Sequence, residues 1–431
     1  MATDNNSNSN SKSHRPDLSP LMVTSLTCDL YGLHVQSYEE LESYGDRNYH
    51  VIVDAQNVSN YFLGEVCPDG YVLKVLNSED SMNVAAVKTK DEVVEHVHTE
   101  GFPTARLVPT VTGHLSRLCS LHTANGKQRY GVIARDDVIK YAVRLLEYIP
   151  GTVLSAVPLT PRLSFQVGSF AARLDGILQG FDNKNSVDLS TNWSMENLPF
   201  VRQLLYVIND VSTKRVCSDV IDAFETEVIT NKDKKTFRRG IVHTDFNPNN
   251  ILVHPTAATT QNPPSFPTSS AAASSKTLYP SSTSPSFTSS SSSSSSSGEK
   301  WDVSAVLDFG DACETYVFLE AAIAMSHLML DCPPGCDPDE LAGHTLAGYL
   351  SQIKLSRTEV ELLPIAICAR LCQLVVCGNH TLTMDPGNRD YVLAYVTPAL
   401  RHLLRSWGRP RDVRLSKWKD VAERWKVKFP E

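Results

Sequence analysis

The segment Ile241-Val242-His243-Thr244-Asp245-Phe246-Asn247-Pro248-Asn249-Asn250-Ile251-Leu252-Val253 constrains this chain more than any other. Apolar triplets bracket a polar turn, so a loop between two buried strand-like pieces should present Asp245 and Asn250 in one direction. Further along, Ser304-Ala305-Val306-Leu307-Asp308-Phe309-Gly310-Asp311 ends an apolar strand in a carboxylate followed by Phe and Gly. The first geometry suits a base and a metal ligand, the second a further metal ligand. The plainer reading makes Asp245 and Asn250 turn formers and Asp308 a strand-end cap.

Composition narrows the classes. Across 431 residues, 40 basic side chains stand against 48 acidic ones for a net charge of −8, too few cations for nucleic acid to be the main partner. The longest apolar stretch, Glu361 to Cys377, is broken by Pro364 and Arg370 and is too short for a membrane crossing. Residues 1–20 are Asn/Ser-rich without an apolar core and are expected to be a disordered lead-in to a cytoplasmic protein. The ten cysteines read as reduced residues, several in apolar segments, and no second pair joins Cys332 and Cys336 to make a zinc site.

The hydropathy pattern divides the rest. From 21 to 150, short Val/Ile/Tyr-rich runs at 50–54, 71–76, 106–111, 130–134 and 141–149 predict a small sheet, with one amphipathic helix over 84–100. After Pro150-Gly151 the pattern turns helical over 161–181, 215–230, 318–330, 341–353, 358–382 and 391–407, and Ser356 with Glu359 predicts a capping box. Residues 255–298 are Ser, Thr, Pro and Ala, ending in a serine run, with too few large apolar groups to offset the entropy of ordering them. The expected organisation is an α+β, two-lobed chain: a small antiparallel-sheet N-lobe over 21–150, and a mostly helical C-lobe over 151–254 and 299–431 interrupted by that disordered insert.

A carboxylate that accepts a hydroxyl proton, with carboxylate and amide oxygens holding magnesium on nucleotide phosphates, is what phosphoryl transfer requires. H-x-D-x-x-x-x-N followed by D-F-G is a specific signal only in combination and in this order. On these motifs the chain resembles the protein-kinase-like fold, and within it the aminoglycoside phosphotransferase and choline kinase group. The segments 43–51, 71–75, 101–105, 143–151 and 308–311 resemble the hydroxylysine kinases in particular, from about Leu21 to Trp407 outside the insert.

The resemblance implies roles residue by residue. Asp245 would be the catalytic base, His243 the structural support of its loop, Asn250 and Asp308 the Mg2+ ligands, and Lys74 the cation on the nucleotide phosphates. Tyr44 to Tyr49 fills the place of the phosphate loop, with Tyr44 and Asn48 as side-chain contacts, and Glu147 to Ile149 would be the hinge that reads the purine. GTP is the implied phosphoryl donor, with ATP the alternative. Where the helix acid that partners Lys74 is expected, Glu92 is the nearest candidate, and Thr244 replaces the glycine usual in this group.

For an acceptor such as 5-hydroxy-L-lysine, amines call for carboxylates and the carboxylate for a cation. Asp311 and Glu320 are candidates for the first and Arg370 for the second, unless Arg370 pairs with a nearby acid for structural reasons. Trp193 would pack over the aliphatic stem or fill the core. The rival readings are a kinase of choline, ethanolamine or homoserine, and a nucleotide-binding scaffold without catalysis.

Overall fold

The computed structural model describes residues 15–124, 127–132, 139–231, 234–256 and 300–430. Residues 1–14 of the N-terminal lead-in, the end of the predicted 130–134 strand and residues 257–298 of the serine-rich insert lie outside the described residues.

The first lobe runs α1 (Pro20–Tyr31), β1 (Leu33–Leu41), β2 (Arg47–Val58), β3 (Tyr71–Val75), α2 (Ser78–Met82), α3 (Val84–Thr99), β4 (Ser116–Ala124), β5 (Lys127–Val132) and β6 (Lys140–Glu147). Its strands form one antiparallel sheet in the order β1-β2-β3-β6-β4-β5. Side-chain alternation decides its faces. Tyr49, Val51 and Val53 of β2, Tyr71, Leu73 and Val75 of β3, and Tyr141, Val143 and Leu145 of β6 pack with Val23, Leu26 and Leu30 of α1. The opposite face therefore carries Asn48, Lys74 and Arg144, and the register sets them in a row, Asn48 opposite Lys74 and Lys74 opposite Arg144. Helix α1 and strands β1 and β4 are additions to the sequence reading. The predicted strand at 106–111 instead carries an isolated bridge, Leu107 to Leu146, because Pro109 has no donor to continue a ladder.

The second lobe contains β7 (Thr152–Val153), α4 (Pro161–Leu178), α5 (Leu198–Val201), α6 (Val211–Phe224), β8 (Arg239–Val242), β9 (Ile251–Pro255), β10 (Trp301–Val306) and β11 (Cys313–Tyr316). Five helices follow or close it: α7 (Phe318–Leu330), α8 (Pro338–Leu350), α9 (Arg357–Met384), α10 (Arg389–Trp407) and α11 (Arg411–Arg424). Helices α4 and α8 touch backbone to backbone: a Cβ on Gly168 would lie 1.8 Å from the Thr345 carbonyl oxygen, and one on Gly348 1.9 Å from that of Phe165. No larger residue fits either position without prising the helices apart. Helix α9 starts with the expected capping box, Glu359 N–H donating to Ser356 Oγ at 3.2 Å and Ser356 N–H to Glu359 Oε2 at 2.7 Å. It is long and apolar enough to cross a membrane, yet 94% of its most apolar window is buried within the lobe. All ten cysteines are free thiols.

The expected two-lobed α+β architecture is the one the chain adopts. Two hairpin-like pairings position the site. Strand β8 pairs with β11 and β9 with β10, so the loop from β8 to β9, residues 243–250, lies beside the loop from β10 to β11, residues 307–312. The β9·β10 ladder runs out to Pro255 opposite Trp301, which brings the two ends of the serine-rich segment together. Closing a long loop between ends already paired adds little entropy cost per added residue.

Candidate active site

Both loops bend through backbone conformations that L-residues with side chains seldom adopt: Thr244 has φ 61° and Asp308 φ 59°. Such strain persists only where the surroundings hold it. Thr244 N–H donates to Glu320 Oε2 at 2.8 Å, and its hydroxyl to the Asp311 carbonyl at 2.5 Å. The side chain that replaces glycine therefore ties the two loops together. His243, fully buried, does the same: Nε2 donates to the Leu307 carbonyl at 2.9 Å, and Nδ1 accepts from Asp245 N–H at 3.3 Å. Burial holds its pKa below the usual imidazole value, so it is a neutral strut.

These restraints present Asp245 to the space between the lobes. Its Oδ2 accepts from Asn250 Nδ2 at 2.7 Å and its Oδ1 from Arg370 Nη2 at 3.3 Å. Across the cleft, Lys74 Nζ lies 2.7 Å from Asp308 Oδ2 and 3.1 Å from Asp46 Oδ2. Burial would lower the Lys74 pKa, but these two carboxylates hold it above its ordinary value. Burial likewise raises the Asp308 carboxyl, and Lys74 outweighs it to bring the group down to about 2.

Glu92 is not the partner of Lys74. It faces outward on α3 beside Lys88, 4.0 Å away. The buried acid of α3 is Asp91, which sits 3.3 Å from Arg144, while Lys90 of the same helix donates to the Gly310 carbonyl at 2.6 Å. The acid that sequence reasoning missed is Asp46, within the 44–49 segment that precedes and opens β2.

That segment is fastened to both lobes. Asp46 Oδ1 accepts from Asn77 N–H at 2.8 Å, Asn388 Nδ2 donates to the Tyr44 carbonyl at 2.9 Å, and the Tyr44 and Thr381 hydroxyls are hydrogen-bonded. Tyr44 thus reaches α9 rather than standing free over the cleft. Asn48 lines the cleft with its buried Oδ1 without a partner, a polar atom for a ligand to satisfy. At the hinge, Glu147 N–H donates to the Arg106 carbonyl and Tyr148 N–H to the Gly70 carbonyl. Among the described residues the Ile149 N–H has no acceptor, and Ile149 borders the cleft, where it can meet a purine edge.

The residues present fit a magnesium nucleotide. Asn250 spends its amide nitrogen on Asp245, leaving the amide oxygen, and Asp308 is ionised; both border the cleft. No cluster of three His, Cys, Asp or Glu occurs among the described residues. Mg2+ takes its other ligands from water and phosphate, so two protein oxygens suffice.

On the acceptor side, Trp193 lines the cleft and meets Tyr44 edge-on, ring centroids 5.5 Å apart. Asp311 lines it too, Oδ1 accepting from the Thr191 hydroxyl at 2.9 Å; burial and then the Asp245 charge push its carboxyl up to about 7. Glu320 is different. It is wholly buried, is not among the cleft-lining residues and supports the Thr244 backbone, so it braces the 243–250 loop and does not face the cleft. Arg370 is also buried away from the cleft wall and pairs with Asp245, the acid-pairing alternative.

One interlobe cleft of about 1840 Å3 thus joins Tyr44, Asn48, Lys74, Glu147, Ile149, Trp193, Asp245, Asn250, Asp308 and Asp311. A carboxylate held beside an amide, with an ionised carboxylate and a lysine facing it across two lobes, suits phosphoryl transfer, and the chain is a phosphotransferase, a kinase with an alcohol acceptor. The comparisons agree. Residues 50–260 match the model of the phosphotransferase enzyme family. The chain is 28% identical to hydroxylysine kinase of Danio rerio over 418 residues, 96% of this chain and 99% of that protein. It is 26% identical to hydroxylysine kinase of Bos taurus over 412 residues, 95% and 94%. The resemblance to hydroxylysine kinase therefore extends over nearly the whole length.

Solved structures share the fold. A microcompartment-associated aminopropanol kinase aligns with a TM-score of 0.56 at 16% identity, covering 90% of this chain and 99% of its own. Amicoumacin kinase in complex with AMP-PNP and Ca2+ aligns at 0.54 and 12% identity, covering 89% and 94%.

Proposed function

We propose that the chain transfers the terminal phosphoryl group of GTP to the hydroxyl of 5-hydroxy-L-lysine, giving 5-phosphohydroxy-L-lysine and GDP, a step in hydroxylysine and lysine breakdown. The observation that carries this is Asp245, held between Asn250 and Arg370 in the same cleft as Lys74 and Asp308, in a chain whose near full-length relatives bear the name hydroxylysine kinase.

In this reading Asp245 orients the acceptor hydroxyl in line with the terminal phosphorus and takes its proton as the new P–O bond forms. Lys74, released from Asp46, neutralises the phosphates. Magnesium, held by Asn250 and Asp308, would supply charge neutralisation of the leaving diphosphate. Ile149 N–H and the Glu147 carbonyl would read the purine. The choice of GTP rests on the resemblance to hydroxylysine kinases.

The state of Asp311 favours a cationic acceptor. Burial and then the Asp245 charge raise this carboxyl to about 7 despite the opposing charge of Lys90, and a substrate ammonium would add the positive charge that ionises it. Trp193 and Tyr44 then flank an aliphatic stem.

The test is GDP release from GTP and magnesium with and without 5-hydroxy-L-lysine, with ATP, choline, ethanolamine and homoserine as comparisons. Hydroxylysine-dependent release, faster with GTP, is the expected result. Release with another acceptor alone moves the substrate, and faster release with ATP moves the donor. Nucleotide binding without transfer to any acceptor overturns the reading.

A further inference from the structure

Arg370 lies in the middle of the apolar helix α9 with a side chain only 2% exposed, and its guanidinium is almost fully committed within the protein. Nε donates to His327 Nε2 at 3.3 Å, Nη1 to the Trp193 carbonyl at 3.1 Å and to Gln373 Oε1 at 3.0 Å, and Nη2 to Asp245 Oδ1 at 3.3 Å. His327 serves as an acceptor because it is neutral: burial, and then Arg370 itself, lower its pKa to about 3. The guanidinium carbon also lies 5.4 Å from the Trp193 ring centroid.

A guanidinium has five N–H groups, and four are spent on these partners. Gripping a substrate carboxylate in the two-pronged manner needs two. Arg370 therefore has no fork left for the acceptor, although it touches the group beside which the acceptor must react.

We propose that Arg370 is a positioning residue for catalysis: its guanidinium, itself fixed by His327, Gln373 and the Trp193 backbone, clamps Oδ1 of Asp245. With Asn250 on Oδ2, the carboxylate is held at both oxygens, so its plane and distance from the attacking hydroxyl are set before substrate arrives. The same guanidinium anchors the Trp193 segment, so base and acceptor wall share one rigid reference. The inference rests on Asp245 acting as the base, but not on which alcohol is accepted.

The experiment compares Arg370→Ala and Arg370→Lys with Asp245→Asn and the unaltered protein, using whichever acceptor supports turnover. For each, kcat, both KM values, nucleotide affinity and thermal stability are measured, with and without added guanidinium at a non-denaturing concentration. Arg370→Ala is expected to lose about 100-fold in kcat, the cost of a misplaced reacting group. The nucleotide KM should stay within about threefold, and any rise in acceptor KM from loosening the Trp193 wall should be smaller than the fall in kcat and the same for acceptors with and without a carboxylate. Guanidinium should restore at least part of kcat for Arg370→Ala and leave Asp245→Asn unchanged. If Arg370→Ala does not fold, Arg370→Lys carries the test: it keeps a cation but loses the fork, and the same fall in kcat at constant nucleotide KM is expected. An effect confined to acceptor KM, and absent for acceptors without a carboxylate, overturns the proposal in favour of substrate binding, as does unchanged kcat. Full turnover by Asp245→Asn would instead remove the base assignment beneath it.

Discussion

The two sides of the cleft are built on opposite principles. On the C-lobe side, the strained residues Thr244 and Asp308 are fixed by buried groups that no substrate displaces: His243 on the Leu307 carbonyl, Glu320 on the Thr244 amide, Thr244 on the Asp311 carbonyl. On the N-lobe side, the 43–48 segment is held through Asn77, Asn388, Thr381 and the Asp46–Lys74 ion pair, and in the proposed reading that ion pair gives way to nucleotide phosphate. The first side is preorganised and the second is exchanged. Preorganisation belongs where charge develops in the transition state, and exchange belongs where ligand enters.

The largest expected effect breaks the preorganised side at its centre. Asp245→Asn keeps the shape of the carboxylate but cannot take a proton, so kcat should fall by about 10³-fold while nucleotide affinity changes little. Steady-state kinetics beside a nucleotide titration decide it; near-normal turnover would mean that Asp245 is not the base. Lys74→Met removes the cation from the exchanged side. Its cost should be about 100-fold in kcat/KM for the nucleotide, accompanied by weaker nucleotide binding. A loss in kcat with binding intact would place Lys74 with the preorganised groups and blur the contrast.

The same division decides what could be read from residue order. The 243–250 loop was legible because apolar triplets on both sides leave one direction for Asp245 and Asn250 to point, and strand pairing does point them there. Helix α3 supplies no partner for Lys74: its buried acid, Asp91, pairs with Arg144. Glu92 is only the nearest acid along the sequence, whereas the buried stripe runs Val87, Asp91, Val94, a helical spacing that turns Asp91 inward. Asp46 left no comparable signal, because a carboxylate in a turn is ordinary until β2 and β3 set it beside Lys74. Strand β1 was missed since its residues are mostly exposed and polar, and α11 because its charged surface hides the buried Arg414 and Trp418. Arg370 stands out as a cation in an apolar helix, but its four partners come from three distant segments and from its own next turn, which no local pattern reveals.

A smaller effect sharpens the contrast by relaxing the exchanged side. Asp46→Asn retains an acceptor for the Asn77 amide and removes the negative charge that competes with phosphate for Lys74. Removing one unit charge near the phosphates is worth ~1 kcal/mol, so nucleotide Kd should drop about fivefold. Calorimetric titration without acceptor measures it. Weaker binding would show that Asp46 helps to grip the nucleotide, making it part of the site and not a placeholder.

The smallest effect concerns the cost of holding Thr244. Burial raises the Glu320 carboxyl from 4.5 to about 7. Between those values the folded chain retains a proton there that the unfolded chain has released, so stability falls as pH rises through this window and levels off above it. Glu320→Gln offers a neutral replacement of the same shape: its amide oxygen can accept the Thr244 N–H, and its nitrogen takes the place of the buried Oε1, which has no partner. The variant should therefore lose less melting temperature between pH 5 and pH 8 than the unaltered chain, with turnover at pH 7 changed by no more than about threefold. Identical pH slopes for the two proteins would mean that Glu320 is ionised throughout, and that the strained loop is held by a charge and not by a neutral acceptor.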